Sequence, residues 1–361
     1  MEYLILFIKV FIVFNVMMGL ASFCTWFERK GSALIQDRVG ANRAGSFIYT
    51  DNIFLKPVFF VVRILGILGI INTLLCDALK ALTKEDFVPE GTSNFMHCLA
   101  PFLAALPIFL SFALIPFAPD FQIGQYNIRP QIASLDSGVL FILAMGSVSI
   151  YGVALAGWTG NNKFSLLGGL RAAAQMISYE LAMGITFVTL IVMYGTLDLY
   201  AMIESQKGWM WGVILNPVAF VTLFIVGMAE TKRGPFDLPE SESELVAGYF
   251  TEYSGMKFLL FWLGEFAEIA LFALLLTILF LGGWNLPFVN LPEGWLGALL
   301  GHGILMGKVI FMCMLQIVIR WTLPRFRYDQ LMTLGWKYLL PLSMINLVVT
   351  SGVVLYLNTA K

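Results

Sequence analysis

The stretch Phe258-Leu-Leu-Phe-Trp-Leu-Gly-Glu265-Phe-Ala-Glu268-Ile-Ala-Leu-Phe-Ala-Leu-Leu-Leu-Thr-Ile-Leu-Phe-Leu-Gly282 runs for 25 residues with two charged side chains and no proline. About 20 apolar residues cross a bilayer as a helix, and this run is longer than that. It is apolar nearly all round, which suits a helix with no solvated face. Seven further spans lie at about 3–27, 98–118, 136–158, 175–197, 211–229, 303–321 and 337–357. With 59% hydrophobic and 12% charged residues, the 361-residue chain reads as an all-α polytopic membrane protein. We expect about eight transmembrane helices in a single membrane domain over 1–361.

The net charge of −1 hides an asymmetry. The segments 28–97, 159–174, 230–257 and 320–337 hold 17 of the 22 Lys and Arg residues. The positive-inside rule places these four segments in the cytoplasm and both termini outside. Glu2 and Lys9 near the start, with no small-residue cleavage pattern before Glu28-Arg29-Lys30, make the first span a retained helix. Residues 54–75 are long and apolar enough to span. A crossing there would invert the downstream cationic loops, so an interfacial or re-entrant helix is expected.

Several chemistries are excluded. Cys24, Cys76, Cys98 and Cys313 are scattered without a C-x-x-C run, which argues against an iron–sulfur cluster held by this chain alone. His97 and His302 lie at opposite ends of spans, against a bis-histidine haem. No dinucleotide fingerprint, phosphate-binding loop, metalloprotease motif or other metal site is present. Nothing suggests nucleic-acid binding.

Carboxylates are concentrated instead. Glu230, Asp237, Glu240, Glu242, Glu244 and Glu252 fall within 23 residues of the loop 230–257. Ser241-x-x-Glu244 has the spacing of a capping box, which accounts locally for Glu242 and Glu244. Glu230, Asp237, Glu240 and Glu252 have no such role. The alternatives are a functional acidic cluster and a merely solvated loop. Inside the spans, Glu180 lies about 13 Å beyond Arg171, and Glu265 and Glu268 about 12 and 16 Å beyond Lys257, at 1.5 Å per residue. A charge at mid-bilayer costs about 2.5–3.5 kcal/mol even on lenient scales, so such groups face a protein interior or a hydrated path. They suit proton relay; neutral acids hydrogen-bonded between helices are the plainer alternative.

Two more polar stretches face the same side. Glu28-Arg29-Lys30 leads to Gln36-Asp-Arg38-Val-Gly-Ala-Asn42-Arg43, and Arg320-Trp-Thr-Leu-Pro-Arg325-Phe-Arg327-Tyr-Asp329-Gln330 follows the seventh span. Cations there ordinarily anchor topology or contact lipid headgroups. The interleaved Gln36, Asp37, Asn42 and glycines read as a structured loop, and together the polar loops form a surface for docking protein.

These residues resemble a known family. E-R-K … Q-x-R-x-G-x-N-R spans Glu28 to Arg43, and G-W-x-x-x-x-K-x-x-L-x-G-x-x-R-x-x-A-Q-x-I-S-Y-E spans Gly157 to Glu180. A-E-T-x-R-x-P-F-D-L-P-E-x-E-S-E-L-V-A-G spans Ala229 to Gly248 and leads into Glu252-Tyr-Ser-Gly255. R-x-x-x-P-R-x-R-x-D-Q fits Arg320 to Gln330. In this order they resemble the H subunit of respiratory complex I, the proton-translocating NADH:quinone oxidoreductase, counterpart of mitochondrial subunit 1. The resemblance implies part of a quinone chamber formed by Glu28, Arg29, Lys30, Gln36, Arg38, Asn42, Arg43, Arg233, Phe236 and Asp237. It places proton coupling on Glu180, Glu230, Glu240, Glu242, Glu244, Glu252, Glu265 and Glu268, with Arg320, Arg325, Arg327 and Asp329 docking partners. Quinone is the implied substrate. FMN and iron–sulfur clusters belong to partner subunits: the quinone-module subunits of the hydrophilic arm, carrying the terminal cluster, with small membrane-arm subunits alongside. No residue of this chain is expected to be directly catalytic. Lipid surrounds the chain, and the implied location is a bacterial inner membrane rather than a mitochondrial one.

Departures from the family pattern are Ala41 for proline, Lys232 for asparagine, and about 20 inserted residues around 46–65. Lys232 adds a cation beside Glu230 and would favour its charged form. The rival readings are the corresponding subunit of a membrane-bound hydrogenase-type complex and a stand-alone proton or cation transporter. The chain shows no inverted repeat to support the latter.

Overall fold

A computed structural model describes residues 2–42, 64–66, 69, 70, 76–123, 126–287, 292 and 294–359. Arg43 and most of the expected interfacial segment 54–75 and of the inserted stretch lie outside the described residues. In chain order the elements are α1 Glu2–Ile35, α2 Asp77–Thr83, α3 Asn94–Ser111, a hairpin of β1 Phe121–Ile123 and β2 Tyr126–Ile128, α4 Gly138–Thr159, and α5 Lys163–Tyr194. There follow α6 Leu199–Ser205, α7 Gly212–Leu215, α8 Pro217–Glu230, α9 Glu242–Leu245, α10 Gly255–Phe280 and α11 Trp295–Thr322. The chain ends in α12 Tyr328–Thr333, a π-helical segment Leu334–Leu339, and α13 Leu340–Thr359. The hairpin is antiparallel with Phe121 opposite Ile128.

The stretch that announced a membrane protein forms α10, and α10 is the centre of the molecule. Of its most apolar 18-residue window, 94% is buried, against 22% for α1. A helix apolar all round has no surface to give to water, so its neighbours enclose it. Helices α1, α3, α8 and α11 pack around it. Close approaches are made at glycines: a Cβ on Gly152 would lie 2.3 Å from the Ala104 backbone nitrogen, so α4 meets α3 nearly backbone to backbone.

Seven described helices, counting α12 to α13 as one, are long and apolar enough to cross a membrane. The fifth expected span, 211–229, is divided. The chain breaks between α7 and α8 at Asn216-Pro217, where Pro217 occupies the first turn and Asn216 Oδ1 accepts from the Ala219 amide at 3.0 Å. That leaves 14 helical residues in α8, about 21 Å at 1.5 Å per residue.

Helix α1 does not stop at residue 27. It continues to Ile35, so Glu28, Arg29 and Lys30 stand on a rigid helical turn rather than in a loop. Gly31 lets Trp321 of α11 lie directly against this extension, since a Cβ there would come within 2.0 Å of the indole. Helix α5 likewise starts earlier than its span. Asn162 Oδ1 caps it by accepting from the Phe164 amide at 3.1 Å, and Gly195 ends it in the left-handed region.

The polar segments gather at one end of this bundle. Arg29 meets Asp77 at 2.6 Å, Ser254 Oγ donates to the Glu85 carbonyl at 3.0 Å, and Asn162 Nδ2 donates to Glu252 at 3.0 Å. At the other end His302 lies against the Phe117 carbonyl, and Gln206 Oε1 accepts from the Gly282 amide.

The segment 230–254 is folded inward. Gly248 has φ +55°, and a Cβ there would sit 1.8 Å from the Pro239 carbonyl oxygen. We expect Gly248→Ala to cost about 1–3 kcal/mol in backbone strain, with the clash adding to it. Thermal unfolding of the purified protein measures this, and Gly184→Ala, with nothing within 4 Å of its Cβ, serves as the silent control.

Candidate functional site

The site begins with the carboxylates of α10. Glu265 and Glu268 are both buried, and their spacing puts them on one face. Neither is left bare. The turn after α8 bends back so that Lys232, at φ +53°, and Arg233 point into the bundle. Arg233 Nη2 reaches Glu265 Oε2 at 3.1 Å, and Tyr249 donates its hydroxyl to Glu265 Oε1 at 2.7 Å. Lys232 Nζ faces Glu268 Oε2 at 3.7 Å. The guanidinium of Arg233 also lies 4.4 Å over the Phe266 ring. These contacts are between groups far apart in sequence, which explains why spacing alone gave no sign of them.

Arg233 has a second acid. Its Nη1 lies 3.8 Å from Glu28 Oε1 on α1, and Glu28 in turn pairs with Arg320 on α11. The order Arg320, Glu28, Arg233, Glu265 therefore runs from α11 through α1 and the loop to α10. A small cavity lined by Glu28, Thr231, Arg233, Gln316 and Arg320 sits beside it.

What holds the loop inward is a set of polar anchors. Gln175 of α5, fully buried, donates to the carbonyls of Ala229 at 2.7 Å and Phe236 at 3.0 Å. Phe236 packs edge-on to Tyr179 and against Phe326. Asp237 pairs with Arg325 at 2.9 Å. Ser241 takes an Arg325 N–H at 3.3 Å and caps nothing, so the expected capping box is absent. Arginine is the stronger donor, and the helix that Ser241 would cap, α9, is only four residues long.

Burial sets the electrostatics of this loop. It pushes the Glu240 carboxyl well above the usual carboxylate range, with Glu265 adding to the rise and Arg233 opposing it. Burial likewise raises Asp237 against the pull of Arg325 and Arg320. Around Arg233 burial works against the charge, but Glu265, Glu28, Glu240 and Asp237 outweigh it and hold the guanidinium charged.

Glu230 and Glu180 lie deeper. Glu230 is buried, and one carboxylate oxygen has no partner among the described residues. Glu230 and Glu268 line a cavity between α3, α4, α5 and α10. Glu180 is hydrogen-bonded by Ser147 of α4. The three intramembrane acids are therefore not one bare group: two are compensated by loop cations, and the third belongs to a separate helix pair.

Other expected site residues are spread around this centre. Arg29 bonds Asp77 and lies 5.4 Å from the Trp262 ring, Lys30 bonds the Val39 carbonyl, and Arg38 bonds Gln36 at the surface. Asn42 is the last residue described before 64. Glu244 pairs with Arg171 and Glu252 with Asn162, both away from the Arg233 cluster. The Glu242 side chain lies outside the described residues. Of the four expected docking residues, Arg320 is half-buried on Glu28, Arg325 is exposed and holds the buried Asp237, and Arg327 and Asp329 pair with each other in the open. Sequence reasoning missed Tyr249, Gln175, Ser147 and the partners of Lys232. Gln175, an amide within an apolar span, was the one visible signal. Among the described residues no group of His, Cys, Asp and Glu forms a metal site.

Removing Arg233 leaves Glu265 without its cation in a low-dielectric site, while Glu28 keeps Arg320. Arg233→Met is expected to destabilise by about 3–5 kcal/mol, and adding Glu265→Gln should recover part of the loss. A double-mutant cycle on thermal unfolding checks this. Because the folded-state pKa of Glu240 is raised, its contribution to loop docking is present at low pH and fades as pH rises above the ordinary carboxylate range. Amide hydrogen exchange over 236–245, corrected for intrinsic rates, should speed up with rising pH in the wild type and lose that dependence in Glu240→Gln.

A family profile described as NADH dehydrogenase matches residues 8–351. An H subunit of NADH-quinone oxidoreductase from Geobacter metallireducens is 42% identical over 347 residues, covering 96% of this chain and 95% of its own. The H subunit from Leptospira biflexa is 44% identical over 345 residues, covering 92% and 90%. NADH-quinone oxidoreductase subunit 8 of Rhodothermus marinus is 42% identical over 359 residues, covering 96% of each.

Proposed function

This chain belongs to the NADH dehydrogenase family, and from that premise we propose that it is the membrane subunit of a proton-pumping NADH-quinone oxidoreductase, coupling quinone reduction to proton movement. The observation that carries the coupling role is the sharing of Arg233 between Glu28 and Glu265. One acid stands on the helix that reaches the polar end, the other in the centre of the bundle. A change of charge near Glu28 and Arg320 alters how strongly Arg233 is held from that side, and so alters the compensation of Glu265.

Quinone reduction supplies such a change, because it consumes two electrons and two protons. In this reading quinone approaches the polar end formed by Glu28, Arg29, Lys30, Gln36, Arg38, Asn42, Arg233, Phe236 and Asp237. Glu240, Glu242, Glu244 and Glu252 belong to the loop that responds. Glu265 and Glu268 transmit the change to Glu230, and Glu180 receives it from there. The two electrons would reach quinone by way of FMN and iron–sulfur clusters held by partner subunits, and this chain carries none of them. Arg327 and Asp329 remain available to a hydrophilic partner. The bacterial relatives favour the inner membrane of a bacterium. The relatives' names give the hydrogenase-type and stand-alone transporter readings no counterpart.

Glu180→Gln keeps the size of the side chain and a hydrogen bond to Ser147 while removing the titrating group. In native membranes, quinone-linked NADH oxidation and proton pumping should both fall by about a hundredfold, the lower end of the scale of a lost proton-transfer group. NADH oxidation by a soluble acceptor should persist and report that the complex is assembled. Wild-type pumping in this variant would sink the proposal.

A further inference from the structure

His97 belongs to none of the contacts above, yet its surroundings are specific. It lies in the first turn of α3, is completely buried, and stacks face to face on Tyr253 with ring centroids 4.1 Å apart and planes within 5°. Tyr253 shares a 2.9 Å hydrogen bond with Thr159 Oγ1 at the end of α4 and meets Phe261 edge-on at 5.0 Å. The residues flanking Tyr253 tie three segments together. Glu252 accepts from Asn162, Ser254 donates to the Glu85 carbonyl, and Lys257 pairs with Asp86 at 2.9 Å. The stack therefore sits where the far end of the acidic loop, the α4–α5 turn and the segment after α2 join.

Neither ring nitrogen of His97 makes a hydrogen bond among the described residues. A neutral imidazole tolerates this at modest cost. Protonation would place two N–H donors and a full charge in a buried site, at a helix N-terminus whose dipole already opposes a cation. The charged groups facing the ring are Lys257, Asp86 and Glu252. Lys257 opposes the cation, Asp86 is already paired with Lys257, and Glu252 is engaged by Asn162.

We propose that His97 is a positioning residue for the far end of the acidic loop, holding Tyr253 and the loop residues beside it in place only while its ring is neutral. The stack lends the loop a fixed end from which the Arg233 cluster is hung. Protonating His97 drives the ring out of the stack, frees Tyr253, and loosens residues 250–257 from α4 and from the segment at 85–86. The effect on activity rests on the reading of this chain as a subunit of a quinone-reducing complex; the effect on loop order does not.

Two measurements test this. The first follows quinone-linked NADH oxidation against pH in native membranes, with soluble-acceptor oxidation as the assembly reference. The wild type should lose activity as pH falls below the ordinary histidine range near about 6.5. His97→Phe keeps a flat ring on Tyr253 without titrating, so its rate relative to wild type should rise about threefold between about pH 8 and about pH 5.5. His97→Leu, which lacks the ring, should be slower throughout. An acid limb in His97→Phe that superimposes on the wild type overturns the proposal. The second uses the wild-type complex alone: amide exchange over 250–257, corrected for intrinsic rates, should lose protection between the same two pH values. Unchanged protection overturns the proposal, and this readout stands whatever the activity of the chain proves to be.

Discussion

Two carboxylates in the middle of an apolar helix are costly to bury, and the contacts of Arg233 with Glu265 and of Lys232 with Glu268 offset that cost. Much of the polar end is arranged around this requirement. The cations come from the turn after α8, so that turn bends into the bundle instead of lying on its surface. Once the turn is inside, its backbone needs partners, and Gln175 supplies two hydrogen bonds to it. The outer part of the loop then lies across α5, held by Arg325 on Asp237 and Ser241. A segment that is polar by composition thus becomes part of the core, because the charges it carries are complementary to charges that the central helix cannot expose.

The opposite end of α10 is anchored by different means. Lys308 of α11 donates to the carbonyls of Leu281, Gly283 and Asn285 at 2.7–2.8 Å, at the helix C-terminus where a cation is favoured. Gln206 donates to the Ile278 carbonyl and accepts from the Gly282 amide. The central helix is therefore fixed by charged and amide side chains at both termini, with apolar packing between. Such a helix is poorly placed to slide, and changes at the polar end are more readily expressed as changes in charge state and side-chain pairing.

The spans were legible because a bilayer imposes length and hydropathy on each helix independently of its neighbours. Their ends were less so. Glu28 to Lys30 looked like a loop because charge follows an apolar run, but nothing there breaks a helix, and α1 continues. The fifth span looked whole because Pro217 sits in an apolar setting, yet proline opens a helix there. Pairing was the least legible level. Depth counted along the helices put Glu180, Glu265 and Glu268 at similar height, but sequence gives height and not azimuth, so their separate partners were not legible. The Ser241 to Glu244 spacing suggested a capping box, and the competing donor that displaces it, Arg325, is 84 residues away. Gln175 and Tyr249 were written within or beside the quoted motifs, but their role depends on which backbone and which carboxylate the fold delivers to them.

The paired acids of α10 differ in how firmly they are held, and the proposed coupling depends on that difference. Glu265 has a close guanidinium at 3.1 Å and a phenol at 2.7 Å, so both its oxygens are engaged. Glu268 faces an ammonium at 3.7 Å without a hydrogen bond of good geometry, and the nearby Glu230 has an oxygen with no partner among the described residues. A proton arriving at this level meets a satisfied carboxylate on one side and under-satisfied ones on the other. Strengthening or weakening the hold of Arg233 on Glu265 then changes the field at Glu268 and Glu230 without moving the helix that carries them. In the proposed coupling the firm pair sets the charge at the polar end, and the under-satisfied Glu268 and Glu230 are the groups that respond to it.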